Sequence, residues 1–73
     1  MNKFFKAEQF HNRYIQLYEH FVLVTLIDGT TLEGLYNDDF YEDEAILIGL
    51  IDSPNVAIVK IDDIRKMELS PLD

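Results

Sequence analysis

The apolar positions change their spacing near residue 21, and that change divides the chain. Ala7, Phe10, Tyr14, Leu17 and Phe21 recur at intervals of three and four, the period of a helix with one apolar face. Lys6, Gln9, Arg13 and Gln16 fall on the other faces. Asn2 stands where an N-cap is needed, its side-chain oxygen placed to accept an unpaired N–H of the first turn. No Gly or Pro interrupts the segment, so the pattern predicts a helix from about residue 4 to 19.

Beyond it the period becomes two. Val22, Val24 and Leu26 alternate with Leu23, Thr25 and Ile27, and both sets are apolar or β-branched. Such a strand is expected to be covered on both faces, by a barrel interior on one side and by the helix or another subunit on the other. Asp28-Gly29 predicts a hairpin turn, with glycine supplying the positive φ. Thr30–Tyr36 returns with Leu32, Leu35 and Tyr36 as core anchors, and Gly34 inside it marks a bend or bulge. Asn37–Glu44 (NDDFYEDE) reads as a loop, with Phe40 capping the core. Ala45–Ile51, Val56–Ile61 and Ile64–Leu69 complete five strands, joined by a turn at Asp52–Asn55 and a short link at Asp62-Asp63. The fold class expected is mainly β with one N-terminal α-helix: a five-stranded, strongly bent small β-barrel of the SH3 type. It forms one domain over residues 1–73, with the helix in 1–20, the barrel in 21–69 and a tail in 70–73.

Composition narrows this. A chain of 73 residues buries only about 60% of the surface its unfolded form exposes. It contains no cysteine, which excludes disulfides and thiolate metal sites, so association of copies is the natural source of extra stability. Fourteen acids against six Lys and Arg give a net charge of −8. That balance argues against a general nucleic-acid coat, which rests on cations neutralising phosphates, and it favours solubility. No apolar run approaches the ~20 residues that span a bilayer. MNKFFKAEQF lacks the apolar stretch of a signal peptide, so a cytoplasmic location is expected.

The barrel segment resembles the Sm-like family, which includes the Sm proteins and the RNA chaperone Hfq. The likeness lies in Val24-x-Leu26-x-Asp28-Gly29-x-x-Leu32-x-Gly34, in Asp38-Asp39-Phe40, in Ala45–Ile48 and in Lys60-Ile61-Asp62-Asp63-Ile64. The resemblance implies a helix ahead of a five-stranded barrel, and subunits that pair through their last strands into rings. RNA-binding members read uracil with an Asn after the third-loop aspartate; the matching position here is Glu44, whose carboxylate repels phosphate. The closing Arg-Gly of the family is Lys60-Ile61, and the basic His-containing motif of Hfq is absent. In size, acidity and strand order the chain is also similar to the Rho-binding antiterminator, an Sm-like protein that engages a protein through acidic surface.

The candidate partner site is therefore the acidic loop: Asp38, Asp39, Tyr41, Glu42, Asp43 and Glu44. Its competing readings are a solvated loop and a hard-cation site, although the Asp-x-Asp-x-Asp-Gly spacing of a calcium loop is lacking. Cations mark the two ends of the chain, with Lys3, Lys6 and Arg13 in the helix and Lys60, Arg65 and Lys66 near the finish. If helix and last strand lie together these form a modest basic patch; otherwise they are ordinary surface pairs. His11 and His20 read as surface or helix-end residues, nine positions apart and facing different directions. Strands four and five offer Val56, Ile58, Ile64 and Met67 as an edge for a homo-oligomer. No nucleophile–base set, phosphate-binding glycine loop or cofactor motif is present, so no enzymatic activity and no cofactor are expected. Two functions stand: a non-catalytic module, a small cytoplasmic regulator or assembly subunit that binds a protein partner through its acidic face, and alternatively an RNA-binding Sm-like oligomer in RNA metabolism.

Overall fold

In the computed structural model, which describes residues 5–73, helix α1 covers Phe5–Arg13 and gives way to a 3-10 turn at Ile15–Leu17. The helix is shorter than its apolar stripe predicts, and its expected start at residue 4, the Asn2 cap and Lys3 lie outside the described residues. Tertiary packing stops it. Tyr14 leaves helical geometry (φ −114°, ψ 19°) while its ring stays on Phe10, with centroids 4.7 Å apart. Tyr18 then docks edge-on against Tyr36 at 5.2 Å. Glu19 takes the left-handed region (φ 67°) that glycine usually fills, at a cost of about 1–2 kcal/mol. Two backbone bonds to β2 offset it: Glu19 N–H to the Tyr36 carbonyl at 2.8 Å, and Tyr36 N–H to the His20 carbonyl at 3.0 Å.

The strands are β1 (Phe21–Leu26), β2 (Thr31–Phe40), β3 (Ala45–Leu50), β4 (Val56–Lys60) and β5 (Ile64–Leu69), with a second 3-10 turn at Ile61–Asp63. They form one antiparallel sheet in the order β4-β3-β2-β1-β5. The β1–β2 turn is built as its Asp-Gly pair predicts: Gly29 has φ 91°, and the Asp28 carboxylate accepts the Thr30 N–H at 2.9 Å. That bond, through the Thr30 amide first, holds the Asp28 carboxyl below its ordinary range.

Two expectations are corrected. Asn37–Phe40 is not loop but the end of β2. Asn37 is the extra residue of a bulge, where register slips from Tyr36↔Ile48 to Asp38↔Leu47, so Asp38 and Asp39 pair along β3 despite their polarity. The expected barrel does not close either, because β4 and β5 are the two free edges of the sheet. The sheet is nonetheless bent. Five flat strands would put its edges about 19 Å apart, whereas the three residues of Ile61–Asp63 connect β4 to β5 over at most ~14 Å. Val22, Val24, Tyr36, Ile46, Ile48, Val59 and Met67 fill the concave side, and Phe10 of α1 closes it.

Candidate functional site

The six residues of the predicted acidic loop divide between the sheet and a turn. Asp39 is committed internally. Its carboxylate is only 9% exposed, lies 2.7 Å from His11 Nδ1, and accepts the Tyr36 hydroxyl. This three-residue set fastens α1 onto β2, so Asp39 is no surface ligand. Burial and then Asp39 push the Tyr36 phenol far above its ordinary range. Tyr41 stands edge-on to His11 with centroids 6.1 Å apart, and its phenol is raised by burial, then by Asp39 and Glu8. Tyr18 packs on the other side of His11 at 5.8 Å and donates to the Asn37 carbonyl at 3.1 Å. Phe40 is half-buried at the end of β2.

Asp38 is exposed, and its carboxylate accepts the Asp39 N–H at 2.8 Å. Glu42 and Asp43 occupy the β2–β3 turn, which Glu44 ends in the left-handed region (φ 50°). Here the sequence leads to an arrangement that spacing alone does not show. The 3-10 turn brings Asp62 and Asp63 beside Glu42, Asp43 and Glu44, and the five carboxylates line a concavity of ≈ 470 Å³ with Lys60. The Lys60 ammonium donates to the Asp43 carbonyl at 2.9 Å rather than to a carboxylate. At the rim Lys6 bonds Asp62 at 2.8 Å and Glu44 at 3.3 Å, and its pKa is raised by those two partners, Asp62 first. Glu42, Asp43 and Asp63 have no cation in ion-pair range among the described residues. No group of three or more His, Asp or Glu side chains converges there in a way that could hold a metal ion.

The predicted basic patch of Lys60, Arg65 and Lys66 is not brought together. Lys60 belongs to the acidic concavity. Arg65 is the extra residue of a bulge in β5, where the register passes from Thr25↔Lys66 to Leu26↔Ile64; Lys66 lies 3.9 Å from Glu68. Arg65 instead joins Lys6 and Arg13 of α1 around a separate groove, the helix-to-last-strand apposition that the sequence allowed. Among the predicted assembly residues, Val56 and Ile58 are 56% and 64% exposed on edge strand β4. Ile64 is half-buried against the core, and Met67 is buried within it, so Met67 has no surface to offer a second copy.

Both histidines serve as clasps that sequence separation conceals. His20 Nδ1 lies 3.0 Å from the Asp73 carboxylate, whose other oxygen accepts the Phe21 N–H at 3.0 Å, pinning the tail to the start of β1. The Asp73 carboxyl is held below its ordinary range by that backbone N–H first and by His20 second.

No protein-family model, curated protein or solved structure matches the chain. Among the described residues no helix is long and apolar enough to cross a membrane.

Proposed function

We propose that the protein is a non-catalytic interaction module, a divergent Sm-like domain, that captures a basic segment of a protein partner in the acidic concavity. The observation that carries the reading is the set of cation-free carboxylates Glu42, Asp43 and Asp63 in a recess already walled by Glu44 and Asp62. Such a surface lacks its counter-charge within the chain, and a partner's Lys and Arg side chains supply it. The recess is unsuited to RNA, whose phosphates meet five carboxylates there. In this reading the module works as a small cytoplasmic regulator or assembly subunit. Copies associate edge to edge, β4 of one against β5 of the next, with Val56 and Ile58 at the contact.

The test is fluorescence anisotropy with a labelled Lys/Arg-rich peptide and an acidic control peptide. The triple variant E42Q/D43N/D63N should keep its circular dichroism spectrum and lose at least about tenfold in affinity for the basic peptide. Unchanged affinity in the variant refutes the site. Binding of short oligo(U) or oligo(A) RNA with a steep salt dependence would instead establish the RNA reading. Light scattering after size exclusion decides assembly, and a monomer at high concentration removes it.

A further inference from the structure

The chain has two arginines, Arg13 and Arg65, and both line one groove of ≈ 560 Å³ between α1 and the segment running from the second 3-10 turn into β5. Neither has a carboxylate in ion-pair range among the described residues. In a protein with fourteen acids and six Lys and Arg, two guanidinium groups without a carboxylate therefore stand at one place. The lysine of the same groove behaves differently: Lys6 is already satisfied by Asp62 and Glu44. The uncompensated positive charge of the groove is therefore that of two guanidinium groups.

The walls define what else a ligand must carry. Phe10, Tyr14, Ile61 and Ile64 supply apolar surface along the groove, all of them packed on the core and held in place by it. The Arg13 guanidinium lies 5.4 Å from the centroid of the Tyr14 ring, within cation–π range, an interaction with the ring face that does not consume N–H donors. The volume is that of a small-molecule site, too small for a folded partner to enter. The surrounding charge sets the ligand's valence. Asp62 follows Ile61 directly, the acidic concavity lies just beyond Lys6, and the chain as a whole carries −8. That field repels a polyanion or a phosphate dianion much more than a single negative charge.

We propose that this groove binds a small organic monoanion: a carboxylate held between Arg13 and Arg65, on an apolar body of one or two rings that lies against Phe10, Tyr14, Ile61 and Ile64. Arginine is suited to that head group because its fork matches a carboxylate bidentately. The site is distinct from the acidic concavity, and it stands whether or not the basic-segment reading does.

The experiment uses the full chain and 1-naphthaleneacetate as probe, followed by calorimetry and by amide shifts in a nitrogen-15 spectrum. Saturable binding is expected, with shifts confined to α1, the second 3-10 turn and the start of β5. The neutral amide, 1-naphthaleneacetamide, should bind at least about tenfold more weakly. R13Q and R65Q should each weaken the carboxylate several-fold, and the double variant should abolish it. Both side chains are exposed and make no ion pair among the described residues, so the variants should keep the wild-type urea midpoint. Absence of saturation up to about 10 mM, equal binding of acid and amide, or unchanged affinity in the double variant would each overturn the site. Tighter binding of 1-naphthyl phosphate than of the carboxylate would overturn the valence argument and with it the proposed ligand class. Loss of basic-peptide binding in E42Q/D43N/D63N with 1-naphthaleneacetate binding retained would separate the two surfaces.

Discussion

Gly34→Ala should be the most damaging single-methyl change in the protein. Gly34 faces Leu50 across the β2–β3 ladder, one step from the Leu35↔Gly49 pair. A Cβ at Gly34 would lie 2.9 Å from the Gly49 carbonyl carbon and 2.9 Å from Ile48 Cγ2, with the Gly49 carbonyl oxygen closer still. The obstacle is the backbone of a paired strand, which cannot move without opening the ladder. Overpacking of this kind costs about 1–3 kcal/mol, and the rigid obstacle puts this case near ~3 kcal/mol. A domain of this length has roughly 4–11 kcal/mol in total, so a quarter or more of its stability would go. Gly49→Ala is the control, because its Cβ would meet nothing nearer than the Leu35 Cβ at 3.9 Å. Urea unfolding followed by circular dichroism reads both. With a slope of about 1 kcal/mol per M, the G34A midpoint should fall by about 3 M, while G49A stays within about 0.5 M of wild type. A G34A midpoint within about 0.5 M of wild type, or equal losses in the two variants, would refute the close approach of β2 and β3.

Tyr36→Phe removes the hydroxyl that Asp39 accepts and should cost about 1.5–3 kcal/mol in the same urea assay, since the acceptor is a buried charge. The raised Tyr36 phenol fixes an alkaline limit. Because the folded pKa exceeds the unfolded one, its contribution is full below about pH 10 and is lost as pH climbs above that value. Absorbance at 295 nm should show Tyr36 silent until the protein unfolds, and ionisation together with the other tyrosines would contradict the assignment. The lowered Asp73 carboxyl acts at the other end. Its contribution is present above the ordinary carboxylate pKa of about 3.9 and disappears as pH falls through the lower folded value. D73N should flatten that part of the acid profile, and an ordinary pKa for Asp73 by NMR titration would show the clasp to be absent. Ile58→Lys, at a largely exposed edge position, should leave stability within about 0.5 kcal/mol and remove any concentration-dependent association seen by light scattering.

What the sequence discloses here is mostly local. The Asp28-Gly29 turn, the two-residue alternation of β1 and the helical stripe of Ala7 and Phe10 are set by neighbouring residues, and each is found in place. The misreadings share a cause at longer range. Tyr14 and Tyr18 carry no breaker signal, yet ring packing on Phe10 and Tyr36 ends the helix at Arg13, about six residues early. Asp38 and Asp39 have loop-like chemistry, yet a bulge at Asn37 and a ladder to Ile46 and Leu47 hold them in a strand. The acidic concavity joins Glu42–Glu44 to Asp62-Asp63 only because the chain crosses from β4 to β5 in three residues. The short link at Asp62-Asp63 is legible in the sequence, but the bend it imposes on the sheet follows only from strand order. His11 and Asp39 are 28 residues apart, and nothing in either neighbourhood announces their meeting.

The order β4-β3-β2-β1-β5 also grades how firmly the peptide groups are held. β1, β3 and, within β2, Gly34 and Leu35 have a neighbour on both sides, so their amide hydrogens should exchange with deuterium only when the whole domain opens. On β4 and β5 every second amide points away from the sheet and should exchange within seconds to minutes, giving an alternating pattern along each flank that is interrupted on β5 at the Arg65 bulge. If that alternation vanishes as protein concentration rises, the outward amides have found acceptors on another molecule, and the protected positions name the flank that was covered.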